Sequence, residues 1–141
     1  MSGAKTIPSI EELRRAAAAA GREADCRLIV LFGSAARSTG STPGDVDVAV
    51  LCGGELDTVA FTNRLIQDLG FQQVDVADLG RADPLLMTLV ARDGVPLYER
   101  SPGEFARFVS LAARRYADTR KFRDMERREI DEFIAGRQSV P

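Results

Sequence analysis

The 141-residue sequence predicts a single α/β domain with a small β-sheet. Short apolar runs typical of buried strands alternate with longer segments whose apolar residues recur at helical spacing. Their order is helix, strand, loop or short helix, strand, helix, strand, helix, strand, helix, which is typical of α/β domains. No linker divides the chain, and 45% hydrophobic residues over this length are enough to bury one core.

The first half of the chain contains one helix and two strands around a polar segment. The helix is predicted to begin near Pro8 and Ser9 and to stop at Gly21, because proline suits a first helical turn and glycine suits the residue after the last. The dense apolar run Cys26–Phe32 is typical of a buried strand. Residues 34–37 are placed to begin a short helix, and the alternating residues 45–51 predict a second strand.

The second half is predicted to contain three helices and two strands. Residues 55–69 carry an apolar face at helical spacing and are closed by Gly70. Residues 71–79 and 95–98 are predicted strands, and a short helix between them begins at Asp83 and Pro84 and runs to about residue 90. A long helical pattern then covers residues 103–135 and ends at Gly136.

The composition excludes several kinds of chemistry. The chain has no histidine, which excludes Ser-His-Asp and Cys-His triads and every zinc site that needs imidazole. A net charge of -2 provides no global basic field that would recruit nucleic acid. Any chemistry must therefore use carboxylates, hydroxyls, Arg, Lys, Cys, backbone amides or metal ions bound by oxygen.

The two cysteines and the apolar runs bear on the cellular compartment. Cys26 and Cys52 are too few for a disulfide framework or a zinc cluster, and because both lie in apolar runs we expect buried, reduced thiols. The N-terminus lacks an apolar signal core, and no run approaches the ~20 residues of a membrane span. A cytoplasmic location is therefore expected.

The most informative stretch is Gly33-Ser34, followed after ten residues by Asp45-x-Asp47. Two aspartates that are two apart on a strand direct both carboxylates to one face, while the valines between and after them face the core. Two carboxylates aimed at one point repel each other, and a divalent cation relieves that repulsion. Mg²⁺ prefers oxygen ligands and is usually bound by one or two carboxylates together with substrate phosphates.

The residues before the spacer are suited to phosphate. Gly33 allows a sharp turn close to an anion, and Ser34 offers a hydroxyl where a helix with free amides begins. Arg37 adds a guanidinium one turn later, which suits a triphosphate. For these groups to meet Asp45 and Asp47, the first two strands must be antiparallel.

A third carboxylate is available at Asp75, which lies between two valines and so has the same polarity as the first pair. Asp78 has the opposite parity and is a weaker candidate. Three carboxylates around two Mg²⁺ ions are typical of phosphoryl- and nucleotidyl-transfer enzymes. A GS or a DxD alone is a weak signal, but their joint order with the later aspartate is more specific.

The segment GSAARSTGSTPGDVDVAV resembles the minimal nucleotidyltransferases (MNT), which are the antitoxins of HEPN/MNT toxin–antitoxin modules within the DNA polymerase β-like nucleotidyltransferase superfamily. The resemblance covers about residues 10–125. It implies the nucleotidyltransferase fold, with a small mixed β-sheet flanked by helices and a long C-terminal helix. One departure is Gly44, where many relatives have serine.

The resemblance also implies roles for the site residues. Gly33 and Ser34 would hold the ATP phosphates, and Arg37 matches an arginine that follows GS in many members. Asp45 and Asp47 would bind both Mg²⁺ ions. Asp75 would complete one metal site and help activate the acceptor hydroxyl.

The activity implied by the resemblance is transfer of AMP from ATP to a tyrosine of a partner HEPN ribonuclease, which silences that toxin. HEPN toxins carry an RxxxxH motif, so a chain without histidine cannot be the toxin half. A hetero-oligomer with the toxin is expected. Two alternatives stay open: an antitoxin that neutralises by binding alone, and a nucleotidyltransferase that acts on a small molecule or an RNA end.

The domain organisation favours a protein acceptor. Residues 1–100 are predicted to form the core and residues 101–141 a C-terminal helix of the same domain, which leaves no room for an acceptor-binding domain. A helix over 103–135 would be about 50 Å long, so it must project or bend back near residues 117–118. Its residues 105–112 are expected to pack on the sheet and residues 122–133 to meet a partner, either the toxin or a second copy. The basic residues around residue 123 alternate with acids, so we expect no direct contact with nucleic acid.

Overall fold

The computed structural model describes residues 7–33, 36 and 44–138, without the side chains of residues 121, 137 and 138. The elements follow the predicted order. They are α1 (Ile10–Glu23), β1 (Cys26–Phe32), β2 (Val46–Cys52), α2 (Thr58–Leu69), β3 (Val74–Asp78), α3 (Pro84–Asp93), β4 (Val95–Glu99) and α4 (Glu104–Gln138). Within the described ranges, no helix combines the length and the apolar composition needed to cross a membrane.

The four strands form one mixed sheet in the order β3-β2-β1-β4. β1 is antiparallel to both β2 and β4, whereas β2 and β3 are parallel and are joined by the crossover helix α2. The small mixed sheet and the antiparallel pairing of the first two strands are therefore confirmed. This pairing places the end of β1 beside the start of β2.

Helices cover both faces of the sheet. On one face, α1 and α2 pack against the residues of β2 that alternate with its aspartates, namely Val46, Val48 and Val50. On the other face, α3 and the first part of α4 pack against Leu28, Val30 and Ala49. β1 contributes residues to both apolar clusters, and this explains why it is apolar apart from Arg27.

The end of α1 differs from the prediction. The helix begins after Ser9, whose side chain accepts a hydrogen bond from the Glu12 amide, but it continues through Gly21 to Glu23. A Cβ at Gly21 would lie 2.8 Å from the ring of Tyr98 on β4. Gly21 is therefore a packing glycine that lets the helix approach the sheet, and the chain turns instead at Asp25 with a φ of 53°.

Other element boundaries shift by a few residues. β2 begins at Val46, so Asp45 immediately precedes the strand. α2 begins at Thr58 because the side chain of Asp57 caps it by accepting from the Ala60 amide. β3 is shorter than predicted, and α3 continues to Asp93.

Helix α4 is one continuous helix of 35 residues, about 52 Å long, with no break at residues 117–118 and no end at Gly136. Its first turn is held by Glu104, which is 4% exposed and is paired with Arg27 of β1 and Arg107. Phe108 and Ala112 are buried against the sheet. The second half of the helix carries large apolar side chains that are exposed: Phe122, Met125, Ile130, Phe133 and Ile134.

Candidate active site

The parallel pairing of β2 and β3 aligns two of the predicted carboxylates. Asp47 and Asp75 are register partners, one on each strand. The chain neighbours of Asp47, Val46 and Val48, are almost completely buried. Because side chains alternate along a strand, the two aspartates project from the same face of the sheet.

Asp45 joins this pair from the residue before β2. One carboxylate oxygen from each of Asp45, Asp47 and Asp75 lies within 4.8 Å of the other two. Asp45 and Asp75 are exposed, while Asp47 is partly buried. The structure thus brings the three predicted carboxylates together, and they are called the acidic cluster below.

The electrostatics of the acidic cluster are unfavourable for the protein alone. Burial raises the pKa of Asp47, and the negative charges of Asp75 and Asp45 raise it further. Since a proton on Asp47 relieves this crowding, a divalent cation would relieve it more strongly. The cluster therefore has the charge distribution of a cation site.

The donor set of the acidic cluster fits Mg²⁺. All three groups offer carboxylate oxygens, the ligands that this hard cation prefers. With Mg–O distances of about 2.1 Å, two oxygens on opposite sides of one ion lie about 4.2 Å apart. Oxygens at adjacent positions of an octahedral ion are closer, about 3.0 Å apart, so the three carboxylate oxygens, which lie within 4.8 Å of one another, would have to draw closer together around one ion.

Gly33 borders the acidic cluster at the end of β1. The strand register places Phe32 opposite Asp47, and Gly33 follows with a φ of 76°. A Cβ at Gly33 would collide with the carboxylate oxygen Oδ2 of Asp47. Gly33 was predicted as a phosphate-binding residue, and the structure adds a contact that sequence reasoning missed: it leaves room for the Asp47 carboxylate.

The remaining predicted residues are less informative. Ser34 and Arg37 lie outside the described residues, as does most of the predicted short helix over 34–37. Gly44 has open space around its Cβ position, so a serine side chain would fit there. Asp78 lies further along β3, opposite Val50, where its carboxylate accepts a hydrogen bond from the Gly80 amide.

Comparisons with known proteins agree on the family and the fold. The family model described as Polymerase beta, Nucleotidyltransferase matches residues 17–103, a span that contains all four strands and the acidic cluster. A curated relative, the protein adenylyltransferase MntA of Aphanizomenon flos-aquae (strain 2012/KM1/D3), is 26% identical over a match that covers 91% of this chain and 94% of the relative.

Solved structures of similar fold come from toxin–antitoxin complexes. A crystal structure of a toxin–antitoxin with AMP-PNP contains a chain with a TM-score of 0.70 and 23% identity, and the match covers 87% of this chain and 98% of that one. A complex of a tri-AMPylated Shewanella oneidensis HEPN toxin with an MNT antitoxin contains a chain with a TM-score of 0.67 and 23% identity, covering 86% and 98%. At this identity, the two likenesses establish the shared fold.

Proposed function

The chain belongs to the polymerase β-type nucleotidyltransferase family, whose match spans more than half of it, and on this premise we propose that it is an Mg²⁺-dependent protein adenylyltransferase. In this proposal it is the antitoxin of a HEPN/MNT module and transfers AMP from ATP to a tyrosine hydroxyl of its cognate HEPN toxin. The observation that carries the proposal is the acidic cluster beside Gly33. The name of the curated relative and the AMPylated toxin in a structural neighbour support the choice of substrate and partner.

The transfer joins the acceptor oxygen to the α-phosphorus of ATP, breaks the bond from that phosphorus to the bridging oxygen and releases pyrophosphate. We assign Asp45 and Asp47 to the binding of two Mg²⁺ ions and Asp75 to the completion of one of these sites. When bound, the ions supply Lewis-acid chemistry to the attacking hydroxyl and to the leaving phosphates. Asp75 also helps to activate the acceptor hydroxyl.

The phosphates are assigned to the turn after β1. Gly33 ends the strand with a positive φ, a conformation that glycine adopts readily, and we assign the backbone amides that follow it to the binding of an anion. Ser34 and Arg37 would add a hydroxyl and a guanidinium to the triphosphate. Gly33 also leaves room for Asp47, and it would therefore hold nucleotide and metal ligand in one arrangement.

A partner surface on α4 is the second part of the proposal. Ile130 lies 18 residues after the buried Ala112, which is five full turns at 3.6 residues per turn, so both lie on the same side of the helix. The side that packs on the sheet thus continues beyond it and exposes Ile130 and Phe133 by 58% and 64%. Exposed apolar residues in a row are typical of interaction sites. We assign this distal face (Phe122, Ile130, Phe133 and Ile134) to the HEPN toxin; Met125, nine residues before Ile134, lies on the opposite side of the helix.

The catalytic part is tested by incubating the full chain and its HEPN partner with α-labelled ATP and Mg²⁺. We expect label on the toxin, and its loss in Asp47→Asn by at least about 10³-fold, because several kcal/mol of transition-state stabilisation depend on the metal ligands. Asp78→Asn is the matched control, since it removes a carboxylate from the same sheet outside the acidic cluster, and it should keep activity.

The outcomes of the labelling experiment separate the alternatives. If Asp47→Asn still neutralises the toxin without label, the chain acts by binding alone. Label that appears in RNA or in a small molecule, with none on the toxin, would favour the other nucleotidyltransferase reading.

The partner surface is tested with Ile130→Ser, which exposes no new core because Ile130 is already 58% exposed. We expect weaker association with the toxin by about 1–2 kcal/mol or more and an unchanged melting temperature. Size measurements with and without the toxin distinguish the possible occupants. A variant that still binds the toxin but no longer self-associates would assign the distal face to a second copy.

A further inference from the structure

The ends of β1 and β2 that lie away from the acidic cluster bring the two cysteines together. Cys26 is the first residue of β1 and Cys52 the last of β2, and the antiparallel register makes them partners. Their Sγ atoms are 2.7 Å apart, and both are free thiols. The sequence predicted buried, reduced thiols; the fold places the two side by side, with Cys26 buried and Cys52 partly exposed.

The backbone geometry suits a covalent link. Residues directly opposite each other in an antiparallel pair have Cα atoms about 4.5–5.5 Å apart, which lies within the usual range of about 4.4–6.8 Å for disulfides. The bond would therefore require little backbone movement. We propose that Cys26 and Cys52 are an oxidation site, which forms an intramolecular disulfide when the protein meets a peroxide or a disulfide oxidant.

The different exposure of the two thiols sets the order of events. Cys26 is completely buried, whereas Cys52 is partly exposed and is the one that an oxidant can reach. The pKa of the Cys52 thiol is raised by burial, and the hydrogen bond that it shares with the Cys26 thiol offsets part of that rise. Cys52 is thus the attacking sulfur and Cys26 the resolving one.

The reaction with hydrogen peroxide balances in two steps. The Cys52 thiolate attacks one peroxide oxygen and breaks the O–O bond, which leaves a sulfenic acid and, after protonation, one water. The Cys26 sulfur then attacks the Cys52 sulfur, the disulfide forms, and the hydroxyl leaves as a second water with the Cys26 proton. Two thiols are oxidised by two electrons in total, and one peroxide is reduced to two waters.

The link would close the segment 26–52, which contains Gly33, Asp45 and Asp47, into a covalent loop. Closing such a loop restricts the unfolded chain, so the melting temperature should rise by about 5–10 °C. Cys52 lies five positions after Asp47, a distance of about 17 Å along an extended strand. The disulfide is therefore a clamp that strengthens the strand pair and leaves the acidic cluster unchanged.

The experiment uses the full chain, reduced and then exposed to hydrogen peroxide or, in a second arm, to oxidised glutathione. Intact mass should fall by two hydrogens, the titre of free thiols should fall from two to none, and a non-reducing digest should yield one peptide pair that joins Cys26 to Cys52. The melting temperature should rise and return to its starting value when reductant is added.

The matched variant is Cys52→Ser, which keeps the buried Cys26 and should show neither the mass loss nor the rise in melting temperature. Three results would overturn the proposal: two thiols that stay free after oxidation, oxygen adducts in place of the two-hydrogen loss, and a disulfide that joins two chains. None of these measurements depends on ATP or on a partner, so the result is independent of the proposed function.

Discussion

The acidic cluster and the first half of α4 differ in how their charged groups are compensated. Around Phe108 and Ala112, α4 buries apolar side chains against the sheet, and Glu104 is paired with two arginines. In the acidic cluster, three carboxylates converge, and no lysine or arginine among the described residues forms an ion pair with them. The pKa of Asp47 is raised by burial and by the neighbouring carboxylates. One region is arranged for stability, and the other is arranged for a ligand at some expense of stability.

The largest expected effect on stability lies in the packed half of α4. Phe108 is 2% exposed, so Phe108→Ala should remove apolar contacts, leave a cavity and destabilise the protein by about 3–5 kcal/mol. Phe122→Ala on the same helix is the matched control, because Phe122 is 69% exposed and its removal should change stability by less than about 0.5 kcal/mol. Urea denaturation of both variants measures the difference, and equal losses of stability would contradict the division of α4 into a packed half and an exposed half.

The next effect concerns the contact between Gly33 and Asp47. Gly33→Ala forces a side chain into a positive φ and against the Asp47 carboxylate, and it should destabilise the protein by about 1–3 kcal/mol. Gly44→Ala is the control, since its Cβ meets open space, and it should be nearly neutral. Thermal unfolding in the presence of a chelator separates the two, and a harmless Gly33→Ala would show that the turn after β1 is not constrained by the acidic cluster.

A smaller effect of opposite sign is expected inside the acidic cluster. Without metal, Asp47→Asn removes a partly buried negative charge beside two others. It should therefore raise the melting temperature and increase the free energy of unfolding by less than about 1 kcal/mol. Added Mg²⁺ should raise the melting temperature of the wild type but not of the variant, because binding stabilises the folded state that holds the ligand set. A marked loss of metal-free stability in Asp47→Asn would mean that the carboxylate supports the fold.

The smallest effect is the pH dependence of the stability difference between the wild type and Asp47→Asn. It tests the sign of that difference independently. The pKa of Asp47 is raised in the folded state, so the folded protein is not penalised at pH values below the ordinary carboxyl pKa of about 3.9, where the group is protonated in both states. As the pH rises from that ordinary value towards the raised pKa, the unfolded chain ionises while the folded state keeps its proton, so the folded state loses stability relative to Asp47→Asn. Melting curves from pH 3 to pH 8 without metal should therefore show the advantage of the variant growing and then levelling off. A constant difference over this range would assign the effect to packing.

Much of the fold follows from local patterns in the chain. Ser9, Asp57 and Asp83 are good N-caps and begin α1, α2 and α3, and the buried run of β1 is visible in the sequence. The errors occur where a residue has a tertiary role. Gly21 looks like a helix end by its residue type, but it lies inside the helix. Its lack of a side chain leaves room there for the ring of Tyr98, which is far away in sequence.

The candidate site shows the same division. The alternation of aspartate and valine in β2 predicts that Asp45 and Asp47 face away from the core, since the period of a strand is two residues. That Asp75 completes the cluster depends on the parallel register of β2 and β3, which aligns it with Asp47. Parity alone favoured Asp75 over Asp78, but it did not place Asp75 beside Asp47.

The α/β class, the order of the elements and the polarity of the acidic residues can be predicted from the chain, because they depend on local periodicity and on capping residues. The contacts between strands follow from the packing of the whole fold: Asp75 with Asp47, Gly33 with Asp47, and Cys26 with Cys52. The same packing leaves the second half of α4 beyond the sheet, where its distal face is exposed. The physical reason is that strand register and helix course are set by how the whole core packs, and a single residue shift in register would change every one of these pairs.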